Sequence, residues 1–162
     1  MAWYPANPVT DDRPEAVIFC GIQATGKSTF YQRRFSDTHV RLNLDMLRTR
    51  HREAVLLDAC LAAKASFVVD NTNPSREERA RYVSPSGDAG FRVVGYYFAS
   101  RAQDALVRNA TRSQNRRVPT AGVLGCLGRP ERPSLAEGFD ELYYVMIGAA
   151  GDFEVAPWQE AE

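Results

Sequence analysis

A chain of 162 residues, 44% hydrophobic and 25% charged, is long enough for one domain with a substantial core. Twenty basic residues balance twenty acidic ones, which argues against a long basic groove gripping duplex DNA through many phosphates. No apolar run approaches the ~18–20 residues of a membrane span, and Met1 to Pro14 lacks a basic-then-apolar leader pattern, so no membrane partner and a cytoplasmic location are expected.

The charge is unevenly placed. Residues 41–52 carry four arginines against Asp45, residues 101–117 carry five against Asp104, and residues 131–162 carry eight acids against Arg132. The three cysteines, Cys20, Cys60 and Cys126, lie outside any CxxC motif and read as small buried hydrophobes.

In chain order, residues 1–14 hold three prolines and read as an irregular arm. Ala16 to Cys20 is a continuous apolar run ended by Gly21, the pattern of a strand buried on both faces. A helix is expected from Gly26 to about Phe35, a short strand from His39 to Asn43, and one or two helices over 45–64, where Leu47, Val55, Leu56, Ala59, Cys60 and Ala63 recur at helical spacing. Ser66 to Asp70 reads as a third strand. Ser75 followed by Glu78 makes a capping box for a helix through Tyr82, ended by Ser84-Pro-Ser-Gly87. Phe91 to Phe98 reads as a fourth strand, Arg101 to about Arg112 as a helix, and Leu142 to Ile147 as a fifth strand. Strands alternating with helices imply an α/β fold: a five-stranded parallel sheet with helices on both faces. Residues 15–150 would form the domain and 151–162 an acidic tail.

Gly21-Ile-Gln-Ala-Thr-Gly26-Lys27-Ser28 matches G-x-x-x-x-G-K-[ST] at every fixed position. The glycines allow a tight turn whose successive N–H groups point at one anion, and the following helix adds its positive end. The loop from Gly21 through Ala24, Thr25 and Gly26 to Thr29 is therefore expected to cradle the phosphates of ATP or GTP, with Lys27 reaching the β- and γ-phosphates and Ser28 ligating Mg²⁺. No N-K-x-D base-reading segment follows, and the chain is too short for a multi-domain motor. The economical class is a small kinase passing the γ-phosphoryl group to a hydroxyl. Asp45 and Arg48, three apart after the second strand, point to the same side of a helix start. They could serve as base and acceptor-phosphate clamp, or as an ordinary N-terminal acid with a local ion pair.

Three segments carry a resemblance to a known family: Val69-Asp-Asn-Thr-Asn-Pro74 with Arg79-Ala-Arg81-Tyr82; Arg108-Asn-Ala-Thr-Arg112 through Arg116 to Val118-Pro119; and Arg132-Pro-Ser-Leu-Ala-Glu-Gly-Phe139. Together, over roughly residues 16–147, the chain resembles the 5′-hydroxyl polynucleotide kinase family, the kinase module of end-healing enzymes. The resemblance implies a P-loop kinase fold with an Arg-rich lid at about 112–133, ATP and Mg²⁺ as cofactors, and a single-stranded DNA or RNA 5′ end as acceptor. It implies Asp45 as general base, Arg48 on the acceptor phosphate, and Asp70 beside Ser28, meeting the metal through water. It places Asn71 and Thr72 near the acceptor, and Arg112 and Arg116 over the ATP phosphates. Arg79 and Arg81 would touch the nucleic-acid backbone or lie as surface helix arginines. Fused phosphatase or ligase modules are common neighbours in this family, and a separate phosphatase or ligase partner stays open. Two positions depart from it: Leu44 stands where an Arg between Asn and Asp is common, and Gln23-Ala24-Thr25 stands where Pro-Gly-Ser is favoured. A small-molecule kinase acting on a nucleoside, sugar or antibiotic hydroxyl, and a nucleotide-binding module without catalysis, stay open as alternatives.

Overall fold

The apolar run after Pro14 forms β1 (Glu15–Cys20), the strand at the heart of the sheet in a computed structural model that describes residues 11–22, 25–98, 131–148 and 151–159. Five of its six residues are buried, because neighbours pair with it on both edges. β3 (Phe67–Val69) lies parallel on one side, with Val17 opposite Val68, and β4 (Arg92–Phe98) lies parallel on the other, with Val17 opposite Val94. β2 (Val40–Leu42) adds in parallel beyond β3, and β5 (Glu141–Ile147) beyond β4. The sheet order is β2-β3-β1-β4-β5-β6.

The sixth strand corrects the five-stranded expectation. β6 (Phe153–Pro157) runs antiparallel to β5, Val155 facing Val145, in the segment read as an acidic tail. Its inward positions Phe153 and Val155 are buried while Glu154 and Ala156 face out, so a period-two pattern was present. The acidic composition around it masked the alternation.

Each strand divides the core in two, as alternation requires. Val17, Phe19, Val68, Val94, Phe98 and Val145 pack beneath α1 (Lys27–Arg34), which contributes Phe30 and Tyr31. Ile18, Cys20, Phe67, Val69 and Leu142 pack on the other face against Leu57 and Cys60 of α3 (Arg50–Ala63) and Tyr82 and Val83 of α4 (Arg76–Asp88). A single helical turn, α2 (Leu44–Leu47), precedes α3.

The expected Ser75 cap is present, its hydroxyl accepting from the Glu78 N–H at 3.1 Å. The end of that helix was misplaced. α4 continues through Pro85 to Asp88, although an internal proline removes a donor and costs ~3 kcal/mol. The last turn survives because Val83 and Ser86 are buried on the sheet face and Pro85 O accepts from the Ala89 N–H. Cys20 and Cys60 are buried free thiols, as read from the sequence. Burial pushes the Cys20 thiol up to about 12, which makes it inert at neutral pH. The expected helix from Arg101, the lid at 112–133 and Cys126 fall wholly or mostly outside the described residues. Among the described residues no helix is long and apolar enough to cross a membrane.

Candidate active site

The motif residues meet where β1, β2 and β3 end, on the edge where open parallel sheets bind ligands. β1 gives way to Gly21, whose N–H donates to Thr72 O at 2.9 Å and ties the loop to the exit of β3. Gly26 closes the loop with φ +85°, a left-handed conformation that L side chains disfavour by ~1–2 kcal/mol. α1 then begins with no acid in its first turn and no side-chain cap. Its first amides are thus left to an outside anion.

Lys27 is buried at 9% exposure. Its Nζ donates to Gly21 O at 2.9 Å, Ile22 O at 2.7 Å and Thr25 Oγ1 at 3.4 Å, oxygens that stand in for those of a phosphate. Thr25 is also buried and donates to Ile22 O at 2.9 Å, bracing the loop from inside. Ser28 Oγ donates to Asp70 Oδ2 at 3.0 Å, bringing the two expected metal-side residues together. Thr29 is exposed beside them, lining the same cleft. Ala24, Arg112 and Arg116 lie outside the described residues.

The cleft holds about 290 Å³, and Lys27, Ser28, Asn43, Asp45, Asp70 and Thr72 are among its walls. Asp45 stands in the first turn of α2, exposed and without a hydrogen bond or ion pair among the described residues. Its position is set by a double strap between the ends of β2 and β3. Asn43 caps α2 by accepting from the Met46 N–H at 3.0 Å, and its amide donates to Asp70 O at 2.6 Å. Asn71 Oδ1 accepts from the Leu44 N–H at 3.0 Å, and Asn71 Nδ2 donates to Glu53 Oε2 at 3.0 Å. The amide of Asn71 is therefore engaged within the protein, on the backbone next to Asp45. Arg48, exposed and three residues after Asp45, takes φ +77° and ψ −36°. A non-glycine residue held there stores strain of the kind found at functional sites.

Two residues of this site were missed in the sequence. Glu53, 2% exposed, accepts from Tyr82 Oη at 2.7 Å and from Arg50 and Asn71 at 3.0 Å each. Burial and the Glu53 acceptor push the Tyr82 hydroxyl up to about 12, so it stays a donor. The signal was a carboxylate in register with Leu57 and Cys60 on the buried stripe of α3. Arg41, in β2, places its guanidinium on Asp70 Oδ2 at 2.8 Å and on Ser28 Oγ at 3.0 Å.

Arg79 requires a correction. Read as a nucleic-acid contact or a surface arginine, it is 0% exposed. Its guanidinium forks onto Glu137 and donates to Asn73 O and Glu131 O. An internal carboxylate and two carbonyls consume the donors, because the 131–139 segment folds back over α4. Arg81, two residues on, is exposed.

A family model described as an AAA domain, AAA_33, matches residues 17–131. The bifunctional polynucleotide phosphatase/kinase of Schizosaccharomyces pombe is 23% identical over 155 residues, covering 93% of this chain. The chain spans 38% of that relative's length. Among solved structures, Chaetomium thermophilum Kti12 in complex with ADP-AlF3 superposes with a TM-score of 0.62 at 14% identity, covering 84% of this chain and 92% of that one. A gluconokinase from Sinorhizobium meliloti 1021 gives 0.58 at 15% identity, covering 83% of each. At such identities the structures establish the fold, that of a P-loop kinase.

Proposed function

The chain belongs to the AAA_33 family of AAA domains, and on that premise we propose that it is an ATP- and Mg²⁺-dependent kinase acting on the 5′-hydroxyl of a DNA or RNA end. The observation that carries this reading is Asp45, a carboxylate unpaired among the described residues that lines the same cleft as Lys27 and Ser28. A general base needs a carboxylate open to the acceptor and close to the phosphoryl site.

Lys27 and the loop amides hold the triphosphate tail, and Asp45 takes the proton of the acceptor hydroxyl. The hydroxyl oxygen forms a bond to the γ-phosphorus as the bond to the bridging oxygen breaks, and ADP departs with those electrons. The metal site fits magnesium: Ser28 and Asp70 offer hard oxygens 3.0 Å apart, and magnesium takes few protein ligands alongside phosphates and water. When bound, the ion neutralises charge on the phosphates. Arg48 holds the acceptor phosphate and Thr72 lines the acceptor side, and the family resemblance assigns Arg112 and Arg116, outside the described residues, to the charge on the transferring group. Support for a nucleic-acid end comes from the D-N-T-N-P and L-A-E-G-F segments and from the similarity to the yeast phosphatase/kinase.

A second reading keeps the chemistry and replaces the acceptor with a small-molecule hydroxyl. It is favoured by Leu44, an apolar side chain on the cleft wall next to Asp45, and by the chain's zero net charge. Transfer of labelled γ-phosphate to 5′-hydroxyl oligonucleotides, free nucleosides and sugars separates the two. The first reading expects label on oligonucleotides, with Asp45→Asn slower by ~10²–10⁴-fold. Label confined to nucleosides or sugars selects the second, and tight nucleotide binding with no acceptor at all leaves a non-catalytic module.

A further inference from the structure

Arg41 is a cation that the phosphate loop itself does not require, and it stands on the Ser28–Asp70 oxygen pair that would hold the metal. It leaves β2 on the α1 side of the sheet, with Cζ 5.7 Å from the Tyr31 ring centroid. Nε donates to Asp70 Oδ2 at 3.0 Å, and Nη2 lies 2.8 Å from the same oxygen and 3.0 Å from Ser28 Oγ. The Ser28 hydroxyl donates to that oxygen as well, at 3.0 Å. Two hydrogen bonds and a close ion-pair contact thus converge on one carboxylate oxygen of a residue only 2% exposed.

The Ser28 hydroxyl is held from both sides: its proton goes to Asp70, and one of the two lone pairs on its oxygen accepts from the guanidinium. A magnesium ion binds oxygens at ~2.0–2.1 Å, which would set it against a guanidinium already within hydrogen-bond distance of the same two oxygens. Like charges this close repel strongly in a half-buried site. Arg41 is itself 27% exposed, which leaves its head room to turn toward an arriving polyphosphate, a new anionic partner of the kind guanidinium favours.

We infer that Arg41 is a latch on the metal seat. In the nucleotide-free protein it closes the Ser28–Asp70 pair against a bare divalent cation, and it releases Ser28 when phosphates arrive, so that metal and nucleotide load together. This rests on the reading of the cleft as a magnesium–nucleotide site, and the experiment below tells the two apart.

The test is calorimetry of ATP binding at a series of magnesium concentrations, on the full chain and on Arg41→Met and Arg41→Gln, each first shown by thermal melting to be folded. Losing one charge-assisted contact at Ser28 lowers the magnesium concentration for half-maximal ATP binding by about five- to tenfold in both variants. Manganese titrated alone, followed by its electron spin resonance signal, binds the variants more tightly than the parent. An unchanged or raised magnesium requirement overturns the latch while leaving the nucleotide site intact. A parent protein that binds no ATP at any magnesium concentration overturns the site and the latch together.

Discussion

Arg79 and Glu137 form a two-pronged ion pair in the interior, Nε to Oε1 at 2.8 Å and Nη2 to Oε2 at 3.0 Å, with the arginine 0% and the glutamate 4% exposed. The same glutamate accepts from the Ser134 N–H at 2.8 Å, completing a capping box around the short 3-10 turn Leu135–Glu137. The pair clamps the 131–139 segment onto α4 and, through Asn73 O, onto the loop after β3.

Arg79→Ala leaves a buried carboxylate unpaired and costs about 3–5 kcal/mol of stability. Arg79→Lys does not restore the fork, since one ammonium cannot supply it. Urea unfolding of both single variants and the Arg79→Ala, Glu137→Ala double variant measures the coupling. A double variant whose loss equals the sum of the singles would deny it.

Gly26→Ala tests the loop. At φ +85° an added Cβ meets Phe153 Cε1 at 3.1 Å and Ile147 Cδ1 at 3.3 Å, so the start of α1 must shift as well as bear the left-handed cost of ~1–2 kcal/mol. ATP affinity is expected to fall with a small drop in melting temperature. A variant that melts lower yet binds ATP normally would show that the loop conformation is not what holds the phosphates.

Glu53→Gln tests how Asp45 is held. Glutamine keeps one oxygen where the carboxylate accepted from Tyr82, Arg50 and Asn71, so an N–H must face a donor. With Asn71 loosened, the Leu44 N–H loses its partner and α2 drifts. Transfer to the acceptor is expected to slow by about tenfold, with ATP affinity retained and stability reduced by ~1–3 kcal/mol. Equal losses in ATP affinity and transfer would deny a role specific to Asp45.

At the far end of the sheet, Glu15 accepts from His39 Nε2 at 3.1 Å and from Arg92 Nη1 at 3.2 Å. The hydrogen bond from His39, with Arg92 adding to it, holds its carboxyl below the ordinary value against the opposing effect of burial. A depressed folded value means stabilisation present above the unfolded value and lost as pH falls through the folded one. Glu15→Gln is therefore expected to cost ~0.5–1 kcal/mol near neutrality and nothing once the carboxylate is protonated. Denaturant melts of both proteins across the acid range check the convergence.

Much of this protein was legible one segment at a time. The apolar run before Gly21, the spacing of Gly26, Lys27 and Ser28, the Ser75 cap and the strand alternation are short-range properties, set by backbone sterics and hydrogen bonding within a few residues. They were sufficient for the P-loop kinase fold but not for its sixth strand, and the place of Asp70 beside Ser28 came from the resemblance of Val69 to Pro74 to a known family. Tertiary structure decided which charged side chain meets which. Arg41 reaches Asp70 across 29 positions, Tyr82 reaches Glu53 across 29, and Arg79 reaches Glu137 across 58. An arginine on an amphipathic helix has the same local pattern whether it faces water or a buried carboxylate. Its fate depends on a segment that folds over it from elsewhere, and desolvation makes that pairing obligatory once the segment arrives.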